Sequence, residues 1–216
     1  QCYVHKALTG RQELFDTLRQ FNGLSGFPKP RESEHDAFVA GPASNSVSVA
    51  LGMARARTLQ KQTYSVLALI GDGALTGGLA YEGLNNAGAS GEPLIVVLND
   101  NGMSISHNTG GFPKYLGKLR SSGRYISAKE RVKRGISRVP LIGKGVVSGM
   151  QHVKDSLKYA MIDGVIFEEL GFKYFGPIDG HDIREVCEVL ELAKRTPGPV
   201  FIHAITRKGR GYSKAE

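Results

Sequence analysis

Two apolar runs decide the fold. The first is Tyr64-Ser65-Val66-Leu67-Ala68-Leu69-Ile70, ending in Gly71-Asp72-Gly73. The second is Pro93-Leu94-Ile95-Val96-Val97-Leu98, ending in Asn99-Asp100-Asn101-Gly102. Continuous apolar runs of this length read as strands buried on both faces, as in a parallel sheet. A helix fits residues 77–89 between them.

The same alternation extends outward. Residues 44–60 read as a helix, with Ser44 or Asn45 placed to cap it and Val47, Leu51 and Ala54 at helical spacing. Residues 1–40 carry turn signals and read as loops with one short helix near 12–20. Phe172-Lys173-Tyr174-Phe175 reads as a third strand ending near Gly176-Pro177, and Val200 to Ile205 as a last one. Residues 182–195 form a helix pattern with Val186, Val189, Leu190 and Ala193 on its apolar side and Asp182 as cap. The expected fold is α/β, three layers with a mainly parallel sheet between helices. Ligands of such folds bind beyond the carboxyl ends of the strands.

Composition narrows the function classes. The chain has 216 residues, 41% of them apolar, enough for a core. No run reaches the roughly 18–20 apolar residues of a membrane span, so no membrane partner is expected. Only Cys2 and Cys187 are present, which excludes a disulfide scaffold and a cysteine zinc site, and a cytoplasmic setting is expected. The net charge of +8 is uneven: residues 107–160 hold 12 Lys/Arg against Glu130 and Asp155, and the remainder is slightly acidic. With Tyr115 and Tyr125 as the aromatics between Lys114 and Arg138, this stretch lacks a stacking platform, so no nucleic-acid partner is expected. It reads as a basic, mobile insertion over an active site, with a field suited to phosphorylated substrates.

The chemistry sits at the strand ends. Asp72 and Asn101 are 29 residues apart, so one strand–helix–strand unit sets both turns side by side at one sheet edge. A carboxylate and an amide oxygen are hard donors suited to Mg²⁺, which takes phosphate oxygens for its remaining positions. The glycines let backbone approach a diphosphate, and the helix after Gly73 favours the same anion. Gly-Asp-Gly alone is an ordinary turn; paired with Asn-Asp-Asn it resembles the pattern of thiamine-diphosphate enzymes.

The wider text is more specific. Residues 71–78 (Gly-Asp-Gly-Ala-Leu-Thr-Gly-Gly), 82–88 (Glu-Gly-Leu-Asn-Asn-Ala-Gly) and 98–106 (Leu-Asn-Asp-Asn-Gly-Met-Ser-Ile-Ser) resemble the 1-deoxy-D-xylulose-5-phosphate synthase family. So do residues 5–11, 25–29, 167–174, 176–182 and 208–212, and the resemblance runs from Gln1 to Glu216. It implies a transketolase-like, thiamine-diphosphate-binding fold in a homodimer. It also implies condensation of pyruvate with glyceraldehyde 3-phosphate, with loss of CO₂, at the head of isoprenoid and thiamine synthesis. The resemblance makes Asp72, Asn101 and the Met103 carbonyl the Mg²⁺ ligands. It puts Gly73, Ala74 and Asn101 on the diphosphate and makes Gly41, Pro42, Ala43 and Tyr212 further cofactor contacts. Lys208 reads as an anion partner. Residues 1–216 would be one diphosphate-binding domain lacking its N-terminal part, with the insertion at about 107–160.

Three departures qualify the resemblance. Where the family reads Gly-His-Ser-Ser-Thr-Ser, this chain reads Gly41-Pro42-Ala43-Ser44-Asn45-Ser46, so Pro42 removes an imidazole and a backbone donor and Ala43 a hydroxyl. The family's histidines upstream of Gln1 are absent. So is the glutamate of the next domain that promotes cofactor activation, and no catalytic residue is assigned. The expectation is a fragment or one chain of a split enzyme, inactive alone. The rivals are a transketolase N-terminal half and a catalytically silent homologue that binds cofactor or a partner.

Other titratable residues have plainer readings. His181 reads as part of a turn and cap, His203 as a satisfied core residue, and Glu82 as structural support. Glu168 and Glu169 diverge as helical neighbours. His5 belongs to a family motif and either touches ligand or holds its loop. His107 is near the metal turn without fixed geometry. Cys2 and Cys187 have no visible base.

Overall fold

The structure is a computed structural model that describes residues 2–39, 41–103, 109–121 and 165–214. Four strands, β1 (Leu67–Gly71), β2 (Ile95–Asp100), β3 (Lys173–Asp179) and β4 (Val200–Ile205), form one sheet in the order β1-β2-β4-β3. Every pairing is parallel. The expected α/β architecture is present.

Side-chain alternation sorts the core into two layers. Ala68, Ile70, Val96, Leu98, Phe201 and Tyr174 point to one face, where α2 (Ser46–Leu59) and α4 (Gly78–Ser90) pack. These helices approach closely: a Cβ on Gly83 would lie 2.7 Å from the Ser48 hydroxyl. Val200, Ile202, Ala204 and Ile178 point to the other face, under Val186, Val189, Leu190 and Ala193 of α7 (Ile183–Arg195). Asp182 caps that helix by accepting from the Arg184 and Glu185 amides. A helix α5 (Gly111–Ser121) sets Leu116 and Leu119 into the first layer, and α6 (Val165–Glu169) sends Phe167 to stack on Phe201 with centroids 3.7 Å apart. Most of the basic stretch expected as an insertion lies outside the described residues.

Several expectations need correction. β1 is buried on one face, not two: Leu67 and Leu69 are nearly half exposed. It is an edge strand, and α7 lies against β3 and β4 at the far side. The segment after Gly71 is a single turn, α3 (Asp72–Leu75), and the longer α4 starts only at Gly78. No long-helix N-terminus therefore stands at Gly73. Neither Ser44 nor Asn45 caps α2 through its side chain; Asn45 is the cap residue by backbone position. The third strand does not stop at Gly176-Pro177 but passes through it, with an irregular register between Phe175 and Ile178 and a cis peptide at the proline.

The N-terminal segment is more ordered than its turn signals imply. Helix α1 (Cys2–Lys6) runs into a wound stretch Ala7–Arg11 and a tighter turn Gln12–Thr17. Gly10 breaks the winding with a φ of +83°. A buried ion cluster fastens it: Arg11 donates to both oxygens of Asp36 at 2.8 Å, and Lys6 pairs with Glu32. His5 stands 3.0 Å from Asp36. The cluster holds His5 against the protein's own loop.

Candidate active site at the carboxyl ends of the strands

Pairing of Ile70 with Leu98 and of Gly71 with Asn99 brings the next residues, Asp72 and Asp100, together at one sheet edge. Both are almost fully buried, at 3% and 0% exposure. Burial, and then the charge of Asp100, push the Asp72 carboxyl above the usual carboxylate range. Two carboxyls in contact with so little water favour either a shared proton or a cation. This is the observation that fits a divalent metal. The nearby amide oxygen completes a hard donor set: Asn101 is half-buried, and its Oδ1 accepts from the Met103 amide at 2.9 Å. Among the described residues no group of three or more His, Cys, Asp or Glu could hold a metal by itself.

The other expected site residues arrive on two loops. Gly41, Pro42 and Ala43 are exposed, and Ser44 follows in a left-handed conformation at φ +72°. Its hydroxyl donates to the Ala74 carbonyl at 2.6 Å. That bond ties the 41–44 turn to the turn carrying Gly73 and Ala74. A side chain at Gly77 would collide with this hydroxyl, its Cβ falling 2.3 Å away. Lys208 and Tyr212 lie on the exposed loop after β4. The loop's root is fixed where Thr206 donates from its hydroxyl to Asn99 Oδ1 and from its amide to the Asp100 carbonyl. The next amide, of Arg207, donates to His181 Nε2 at 2.8 Å. His181 is thus a loop fastener as well as part of a turn.

One arrangement escaped the sequence reading. His203 Nε2 lies 2.8 Å from Asp100 Oδ2, and Tyr174 Oη lies 2.8 Å from His203 Nδ1. His203 is satisfied, as expected, but its partner is a strand-end carboxylate. The available signal was alternation, since His203 shares a face with Phe201 and Tyr174 shares it too.

The family model described as 1-deoxy-D-xylulose-5-phosphate synthase matches residues 1–206. The chain belongs to the 1-deoxy-D-xylulose-5-phosphate synthase family. Proteins of that name from Natranaerobius thermophilus and Pelotomaculum thermopropionicum are each 55% identical over all 216 residues. The one from Alkaliphilus oremlandii is 53% identical. The chain spans about a third of the length of these synthases, 34–35%. A transketolase crystal structure from Campylobacter jejuni superposes with a TM-score of 0.62 at 21% identity, over 98% of this chain and 28% of the other. That likeness is one of fold. The synthase-family assignment therefore rests on sequence, and the transketolase-like architecture on structure.

Proposed function

We propose that this chain is the thiamine-diphosphate- and Mg²⁺-binding part of a synthase that joins pyruvate to glyceraldehyde 3-phosphate, giving 1-deoxy-D-xylulose 5-phosphate and CO₂. The buried contact of Asp72 with Asp100 at adjacent parallel strand ends carries the reading, because a divalent cation at this edge would relieve it. Asp72, Asn101 and the Met103 carbonyl are the proposed Mg²⁺ ligands. Gly73, Ala74 and Asn101 are proposed against the diphosphate, with Gly41, Pro42 and Ala43 on one side and Tyr212 and Lys208 on the other. The Ser44–Ala74 bond supports the first grouping, since it joins two of these turns. Thiamine diphosphate supplies a nucleophilic carbon and an electron sink. The chain's own work is to bind and orient, with the metal offsetting the diphosphate charge. A homodimer and a cytoplasmic setting belong to the same reading, and the two free cysteines agree with the latter.

The test is Asp72→Ala in the native, full-length protein, followed by calorimetric titration with Mg²⁺ and thiamine diphosphate. Metal-dependent cofactor binding should be lost; unchanged binding would place the site elsewhere. A second reading, a silent homologue, is favoured by Pro42 and Ala43 standing exposed where the family carries histidine and serine. Cofactor binding without turnover in the native protein would select it.

A further inference from the structure

Asp100, His203 and Tyr174 come from β2, β4 and β3, in the order those strands lie in the sheet, and Asp72 follows directly on β1 as the first residue of α3. All four sit on the α2/α4 face and are buried. They form a polar line through an otherwise apolar layer, from the strand-end carboxylates to the far edge. Buried polar groups of this kind cost stability unless each is satisfied. One placement of a single ring hydrogen satisfies both contacts: with it on Nε2, that nitrogen would donate to Asp100 Oδ2 and Nδ1 would accept from the Tyr174 hydroxyl.

The consequence falls on Asp100. One of its oxygens is held by His203, and the other accepts from the Gly102 amide at 3.1 Å. Asp100 is therefore anchored on both sides, and the Gly102 contact fixes the turn that presents Asn101 and Met103.

We infer that His203, braced by Tyr174, is a positioning residue for the metal turn: it holds Asp100 back from the ligand position and so leaves Asn101 to bind the cation. This rests on the proposed Mg²⁺ site. Without His203 the Asp100 carboxylate loses a partner and turns toward the cation, which disturbs the Asn101–Met103 turn. Groups that orient metal ligands typically change metal affinity by about 10–100-fold when removed.

The experiment uses the native, full-length protein and reads Mg²⁺ affinity by calorimetry in the presence of thiamine diphosphate, with thermal melting of the metal-free protein as the control. His203→Leu should weaken Mg²⁺ by about 10-fold or more. His203→Gln, which can still offer a donor to Asp100, should recover most of the loss. Tyr174→Phe, which removes one oxygen and leaves His203 Nδ1 without that partner, should weaken Mg²⁺ by a few fold and lower the melting temperature modestly. Nitrogen-15 NMR should find the His203 hydrogen on Nε2. Wild-type Mg²⁺ affinity in a folded His203→Leu protein overturns the inference while Asp72→Ala still abolishes binding. If His203→Leu does not fold, wild-type affinity in Tyr174→Phe overturns it instead. If Asp72→Ala itself binds Mg²⁺ normally, the metal site is wrong and the inference falls with it.

Discussion

Arg11 grips Asp36 through two nitrogens, Nη1 to Oδ2 and Nη2 to Oδ1, each at 2.8 Å, across 25 residues of chain. Both side chains are buried, and the Lys29 amide adds a third bond to the carboxylate. Breaking such a pair takes the nearest counter-charge from a buried guanidinium and leaves it Glu32 at 3.8 Å, a loss of up to about 3–5 kcal/mol. Asp36→Asn should lower the urea midpoint accordingly.

The same carboxylate predicts acid sensitivity. The Arg11 hydrogen bonds, opposed by burial, hold the Asp36 carboxyl well below the usual range. Its folded-state pKa is depressed, so its contribution is full above the unfolded value of about 3.9 and declines as pH falls below it. Urea midpoints of wild type and Asp36→Asn should therefore differ widely at pH 7 and converge as the buffer is taken well below pH 4.

Two glycines on different helices should respond oppositely to alanine. A Cβ on Gly88 of α4 would fall 1.7 Å from the Leu170 carbonyl oxygen, so Gly88→Ala must push that loop away. A loss of about 1–3 kcal/mol is expected from such overpacking. Gly52 of α2 has open space around it, and Gly52→Ala should gain about 0.5–1 kcal/mol from helix propensity. Thermal melts of the two variants check both signs.

Asp72 should trade stability for binding. Its carboxyl is buried against Asp100, so Asp72→Asn removes a repulsion in the metal-free protein. Melting without metal should rise, by the equivalent of about 0.5–2 kcal/mol. Mg²⁺ affinity should fall in the same variant. A lower melting temperature without metal would show that the pair is not strained.

Removing the Asp182 carboxylate should loosen α7. Asp182→Ala leaves the Arg184 and Glu185 amides without their acceptor. The cost of a lost N-cap is about 1 kcal/mol, readable as a lower urea midpoint.

The sequence made the strand–helix alternation legible because β2 and β4 sit between neighbours and need unbroken apolar runs. β1 has the same run, yet Leu67 and Leu69 remain partly exposed, since strand order is not written in any local window. Gly176 and Pro177 announce a stop to any local reading. The chain nonetheless continues through them as β3, because pairing with β4 resumes at Ile178. Asp72 and Asn101 were legible from spacing, as one crossover joins their strands. The Asp100–His203 contact was not, because 103 residues separate them and the intervening order β1-β2-β4-β3 creates it. The Lys6, Arg11, Glu32 and Asp36 cluster left no periodic trace, being carried on turns.

The register of β1 on β2 has a further meaning. Leu67 and Leu69 are as apolar as Ala68 and Ile70, so hydrophobic content does little to tell the two faces of β1 apart. A shift by one residue would turn the leucines inward and Asp72 outward. That slipped sheet would bury more hydrocarbon and separate the two carboxylates. The proposed cation at these strand ends would favour only the native alignment, so an ion bound for chemistry would also proofread the pairing of the edge strand.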